Sequence, residues 1–98
     1  MKLIITESRL KQMMLFKQIN DMNLKPNVVP CIGGTECTDL VDEFGETIFR
    51  IDMSNDCFYN GTVLHDYLEH LEIPLAEFRI MLKAYLKQEF GYNIKNMM

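Results

Sequence analysis

The chain has 98 residues, of which 48% are hydrophobic and 24% charged, with a net charge of −4. That is one domain's length with apolar material for one core, which excludes a disordered chain; no apolar run nears the roughly 20 residues of a membrane span. The charge is laid out in blocks: residues 1–35 sum to +3, residues 36–77 to −10 and residues 78–98 to +3.

Lys2 to Ile5 reads as a short strand, and Thr6 as the cap of a helix running from Glu7 to about Met22, with Glu7 suited to the positive helix end. The helix carries apolar residues on two sides. Leu10, Met13 and Met14 share one, and Leu15, Phe16, Ile19 and Met22 share another, so burial on both sides is expected, within the domain or against a partner. The stretch NLKPNVVPCIGGTEC (residues 23–37) holds two prolines and two glycines and predicts a long irregular connection, with a short strand at Val28–Val29 as an option.

Residues 38–59 predict an antiparallel sheet. TDLVDE and ETIFRIDM are strands joined at Phe44-Gly45, and CFY is a third after a turn at Ser54-Asn55-Asp56. In the second strand Ile48 and Arg50 alternate with Phe49 and Ile51, so one face is expected to be less buried. Two helices close the chain. Asn60 or Thr62 caps the first, which ends near Leu71. The second runs from Pro74 to about Phe90 and stops at Gly91. YNIKNMM is a frayed or docked tail. On the first of these helices Val63, Leu64, Tyr67, Leu68 and Leu71 form one face, and Asp66, Glu69 and Glu72 the opposite one. On the last, Leu75, Phe78, Leu82, Tyr85, Leu86 and Phe90 form a core stripe. The fold class is therefore α+β, as one compact domain over residues 1–98: an N-terminal strand-helix, a three-stranded antiparallel meander and two C-terminal helices.

Four chemistries are weighed on spacing. For a metal, Cys31 and Cys37 stand six apart with no C-x-x-C pair, and His65 and His70 lie about 140° apart on a helix, so no metal site is expected. In DMSNDCFYNGTV, Asp52, Ser54 and Asp56 alternate as in a calcium loop. Cys57 and Val63 occupy the positions that need glycine and glutamate, so a β-turn is the better account. Cys57 with His65 and Asp66 could be drawn as a thiol nucleophile, but there is no local signature, and three reduced thiols in a cytosol are the simpler expectation. Arg79, Lys83 and Lys87 share a helix side, but the overall acidity weighs against direct nucleic-acid binding.

The opening MKLIITES followed by a helix, the DEFGETIFRID hairpin and the closing pair of short helices together resemble small uncharacterised proteins of large tailed bacteriophages. The resemblance is specific over about eight residues. It implies a phage or prophage origin and a bacterial cytoplasm as workplace, and it brings no catalytic residues.

The expected function is that of a small non-enzymatic phage-type protein that binds a bacterial or phage protein through an acidic surface, with inhibition of a host defence system as one such role. Asp39, Asp42, Glu43, Asp66, Glu69 and Glu72 are the expected contacts, and a partner with a basic groove the expected complement. The alternative is a self-assembling virion, structural or assembly protein built through the Met-rich first helix. No cofactor and no membrane are expected, and the location is the bacterial host cytoplasm or the virion.

Overall fold

The computed structural model describes residues 6–98, so the strand expected at Lys2–Ile5 lies outside the described residues. In chain order the elements are α1 (Glu7–Asn20), β1 (Lys25–Pro30), a 3-10 turn (Ile32–Gly34), β2 (Glu36–Val41), β3 (Thr47–Ile51), β4 (Asp56–Tyr59), α2 (Gly61–His70), α3 (Leu75–Phe90) and β5 (Asn96–Met97). The strands form one mixed sheet in the order β1-β2-β3-β4-β5. The first four are antiparallel neighbours and β5 pairs parallel with β4. The class is α+β as expected, but the meander gains a strand at each edge.

At one edge, the stretch expected to be irregular holds β1 despite Pro26 and Pro30. The Cys31 N–H donates to the Thr35 carbonyl at 2.7 Å. Counting back in twos, the amides of Val29, Asn27 and Lys25 point toward β2 and positions 26, 28 and 30 point away. The prolines occupy outward slots, where an edge strand needs no donor. At the other edge the tail is docked. Lys95 N–H donates to the Asn55 carbonyl at 2.7 Å and Met98 N–H to the Cys57 carbonyl at 2.8 Å. The side chains of Ile94 and Met97 are buried beneath.

The core lies between one sheet face and the helices. Leu40, Phe49, Ile51 and Cys57 supply the sheet side, and Leu15, Ile19, Leu64, Phe78, Leu82 and Leu86 the helix side. Register places Leu40 opposite Phe49 and Val41 opposite Thr47, leaving Ile48 as the extra residue of a β-bulge. A bulge lets two successive side chains turn to the same side. Ile48 and Phe49 are accordingly both fully buried, which corrects the simple alternation expected for this strand.

Local signals set the helix limits. Thr6 Oγ1 accepts from Arg9 N–H at 3.2 Å, and Asn60 Oδ1 from Val63 N–H at 3.3 Å. Gly91 ends α3 in the left-handed region, with φ 77°, where glycine carries no Cβ penalty. Of the stripe expected on α3, Leu75 proves exposed, and Met81 is buried instead. Tyr85 Oη donates to Asn20 Oδ1 at 2.7 Å, and its ring meets Phe16 edge-on at 5.2 Å, which ties α3 to α1. The two stripes of α1 separate cleanly: Leu15, Phe16 and Ile19 are buried, whereas Leu10, Met13 and Met14 face outward.

The cysteines depart from expectation. Cys31 and Cys37 form a disulfide with their Cα atoms 5.7 Å apart, and only Cys57 is a free thiol. Pairing Val29 with Cys37 at the end of the β1–β2 ladder brings Cys31, two residues beyond Val29, within reach.

Candidate functional site

The sequence-predicted acidic residues fall into three places. Asp66 and Glu69 sit on α2, whose opposite face inserts Leu64 into the core with Val63, Tyr67 and Leu68 packed beside it. One polar and one apolar face at a period of 3.6 leave these two carboxylates nowhere to go but outward. Glu72 follows in the turn after α2 with φ 54°, its side chain exposed and its carbonyl accepting from Lys11 Nζ at 3.1 Å.

Asp42 and Glu43 lie at the tip of the β2–β3 hairpin. Asp42 Oδ1 accepts from the N–H groups of Phe44 at 3.0 Å and Glu46 at 2.8 Å, so it is spent partly on holding the turn. The pinned turn presents Glu43 to solvent beside Phe44, which is 87% exposed. The tip comes against the end of α1 and the middle of α2. Together they line a hollow of about 200 Å³, with Asp21, Asp42 and Glu43 as its acids and Phe44, Tyr67 and Met22 as its apolar walls. The hollow reaches Tyr67 on the inward side of α2, whereas Asp66 and Glu69 stand on its outward side, so the hairpin tip and the α2 face are two separate acidic groups. Asp21, Phe44 and Tyr67 were not picked out from sequence. Nothing in a single chain links Asp21 to a hairpin twenty residues on, and Tyr67 reads as core.

Asp39 does not belong to this surface. It is 4% exposed, and its carboxylate accepts from Arg50 Nε at 2.7 Å and Nη2 at 2.8 Å and from Thr47 Oγ1 at 3.3 Å. The Arg50 hydrogen bonds hold the carboxyl below the usual aspartate range, overcoming the upward push of burial. Asp39 is therefore a buried anion with a committed partner, on the sheet face away from the helices.

Among the described residues, the salt bridges are Lys11–Glu7 and Arg50–Asp39, and neither engages Asp42, Glu43, Asp66, Glu69 or Glu72.

The remaining chemistry is equally specific in its placement. Cys57 is fully buried and burial pushes its thiol up to about 12, so it is held protonated. His65 is engaged by Tyr59, with Nε2 3.2 Å from the phenol oxygen, and both it and Asp66 are exposed. Cys57, His65 and Asp66 do not form a nucleophile with its base. Among the described residues, no three His, Cys, Asp or Glu side chains converge as a metal ion needs. The segment resembling a calcium loop is a hairpin turn in which Asp52 Oδ1 accepts from Ser54 and Asp56 N–H groups at 2.9 and 3.0 Å. Among the described residues, no helix is long and apolar enough to cross a membrane. Comparison with family models, with curated proteins and with solved structures finds no match for the chain.

Proposed function

We propose that this chain is a small non-enzymatic protein of the phage type its opening residues resemble, and that it acts by occupying a basic surface of a bacterial or phage protein. The contacts are Asp66, Glu69 and Glu72 on and after α2, joined by Glu43 and Asp42 at the hairpin tip, with Asp39 removed from the set. The observation that carries this reading is that no salt bridge among the described residues engages these five carboxylates, while α2 with its following turn exposes three of them and a pinned hairpin tip carries the other two. Charges left unneutralised in this way steer association and select the partner. Inhibition of a host defence system is one role compatible with such binding, and a virion or assembly role is another. The Cys31–Cys37 disulfide favours a virion or another oxidising setting over a reducing cytoplasm.

The test is an affinity pull-down from bacterial lysate at low and moderate salt, repeated with Asp66, Glu69 and Glu72 all changed to lysine. A host or phage protein captured by the native chain, lost with salt and lost with the triple reversal supports the reading. Retention by the reversed variant at unchanged affinity refutes it.

The second reading is a self-assembling structural or assembly protein. It is favoured by the outward stripe of Leu10, Met13 and Met14 on α1, which stands exposed among the described residues. Native mass separates the two: a monomer opposes self-assembly, and a defined oligomer that Met13→Asp abolishes supports it.

A further inference from the structure

The sheet face away from the helices carries a hollow of about 360 Å³. Its apolar lining is Pro30, the Cys31–Cys37 disulfide and Phe58, which is 47% exposed, and its polar lining includes Arg50 and Asp52. On its rim stands Ile32, 98% exposed.

An isoleucine this exposed would ordinarily sit in a loose loop. Here the loop is tied on both sides of Gly33-Gly34. The disulfide closes it, Cys31 N–H donates to the Thr35 carbonyl at 2.7 Å, and Thr35 Oγ1 donates to the Ile32 carbonyl at 3.1 Å. Gly33 and Gly34 follow with φ 81° and 76°, a backbone path that side-chain-bearing residues rarely take. The chain thus holds an apolar knob on a cross-linked loop beside an apolar hole, and a knob restrained in this way loses less entropy on docking.

We propose that the occupant of this hollow is a second copy of the chain, with Ile32 of each copy seated between Phe58 and the disulfide of the other about a two-fold axis. Two features favour a second copy. Knob and hole belong to one patch, which is the requirement of an isologous contact. The lining also carries one cation and one anion, so a two-fold can set Arg50 of one copy against Asp52 of the other. Each keeps capacity for this. Arg50 reaches Asp39 through Nε and Nη2, and Asp52 takes its turn amides on Oδ1, leaving Nη1 and Oδ2 uncommitted among the described residues. The α1 stripe offers no such fit, because it is a convex surface with Lys17 among its apolar residues. The pair proposed here is independent of the acidic-surface reading and would carry two α2 faces.

Sedimentation equilibrium of the full chain tests the pairing, with Ile32→Asp, Phe58→Lys and Met13→Asp as variants and circular dichroism as the check on folding. The expected result is a concentration-dependent dimer whose dissociation constant rises on the order of 100-fold or more with Ile32→Asp, since two apolar side chains per dimer lose their burial. Phe58→Lys weakens it likewise, and Met13→Asp leaves it unchanged. A monomer at all concentrations overturns the proposal, as does a dimer that Met13→Asp dissociates and Ile32→Asp does not. The Ile32→Asp variant reads the proposal even if Phe58→Lys fails to fold, because Ile32 makes no core contact.

Discussion

Removing either partner of the Asp39–Arg50 pair should cost different amounts, and the direction of the difference follows from burial. Asp39 is 4% exposed, whereas the Arg50 side chain is 48% exposed. In Asp39→Asn the guanidinium left behind regains water, and the amide oxygen still accepts one of its bonds. The loss of charge-assisted hydrogen bonds, about 1.5–3 kcal/mol in a buried setting, is discounted to about 1–2 kcal/mol. In Arg50→Met the carboxylate left behind is the buried member, with Thr47 as its remaining donor, and an orphaned buried charge costs about 3–4 kcal/mol. At about 4–8 °C per kcal/mol for a domain of this size, Arg50→Met should lower Tm by at least about 12 °C. The pH dependence should differ in sign as well. The native Asp39 carboxyl is held below its ordinary value of 3.8, so its contribution is full above the unfolded pKa and is lost as pH falls through the folded one. In Arg50→Met burial dominates and lifts the folded pKa above the unfolded one. The penalty is then largest near neutrality and is relieved as the carboxyl protonates. Urea unfolding between pH 3 and 8, followed by circular dichroism, reads both effects. The stability gap between native chain and Arg50→Met should narrow from pH 7 toward pH 4. A constant gap, or an Asp39→Asn that costs more than Arg50→Met, would refute the reasoning.

Cys57, fully buried with its thiol near 12, should resist iodoacetamide at pH 8 until the chain is unfolded in urea; prompt labelling of the native chain, read by mass spectrometry, would contradict its burial. Reducing the Cys31–Cys37 disulfide, whose sequence separation is 6, should cost about 2 kcal/mol by loop-closure entropy; an unchanged Tm in dithiothreitol would show that the native loop does not depend on it. Asn60→Ala should cost about 1–2 kcal/mol and more than Thr6→Ala, because Asn60 Nδ2 also donates to the Thr47 carbonyl at 3.2 Å. Equal urea midpoints for the two variants would show that this tie between α2 and β3 contributes nothing.

Elements carried by local chemistry were legible from sequence. Thr6 and Asn60 cap, Gly91 stops α3, and the period of α2 separates Leu64 from Asp66 and Glu69. The two faces of α1 were legible too, although which of them the domain leaves open is a matter of tertiary packing. What could not be read depends on register. The β3 bulge moves Ile48 to the core side without any mark in the sequence, and the prolines of β1 are harmless only because of the parity with which it pairs to β2. Parity also decides the candidate site. Asp39 looked like one more acid in an acidic run, but it pairs with Arg50 across the β2–β3 ladder and disappears from the surface. The disulfide was missed for the same reason, since Cys31 and Cys37 become neighbours only through the β1–β2 pairing. Asp42 and Glu43 approach Tyr67 through the packing of a hairpin tip on α1 and α2, which no spacing rule anticipates.

The placement of β5 has a consequence in time. Asn96 reaches back to Asp56 across a sequence separation of 40, so β4 emerges from the ribosome well before the strand that covers it. At about 5–20 residues per second its edge stands open for roughly 2–8 s. The edge formed by β1 is blunted against this hazard, because Pro26 and Pro30 have no amide proton to offer an incoming strand and Val28 alone keeps an outward donor. A nascent chain stalled between Tyr59 and Asn96 would therefore be stickier on the β4 side, where a short peptide matching Asn96–Met98 would compete for the vacant position before the chain's own segment arrives.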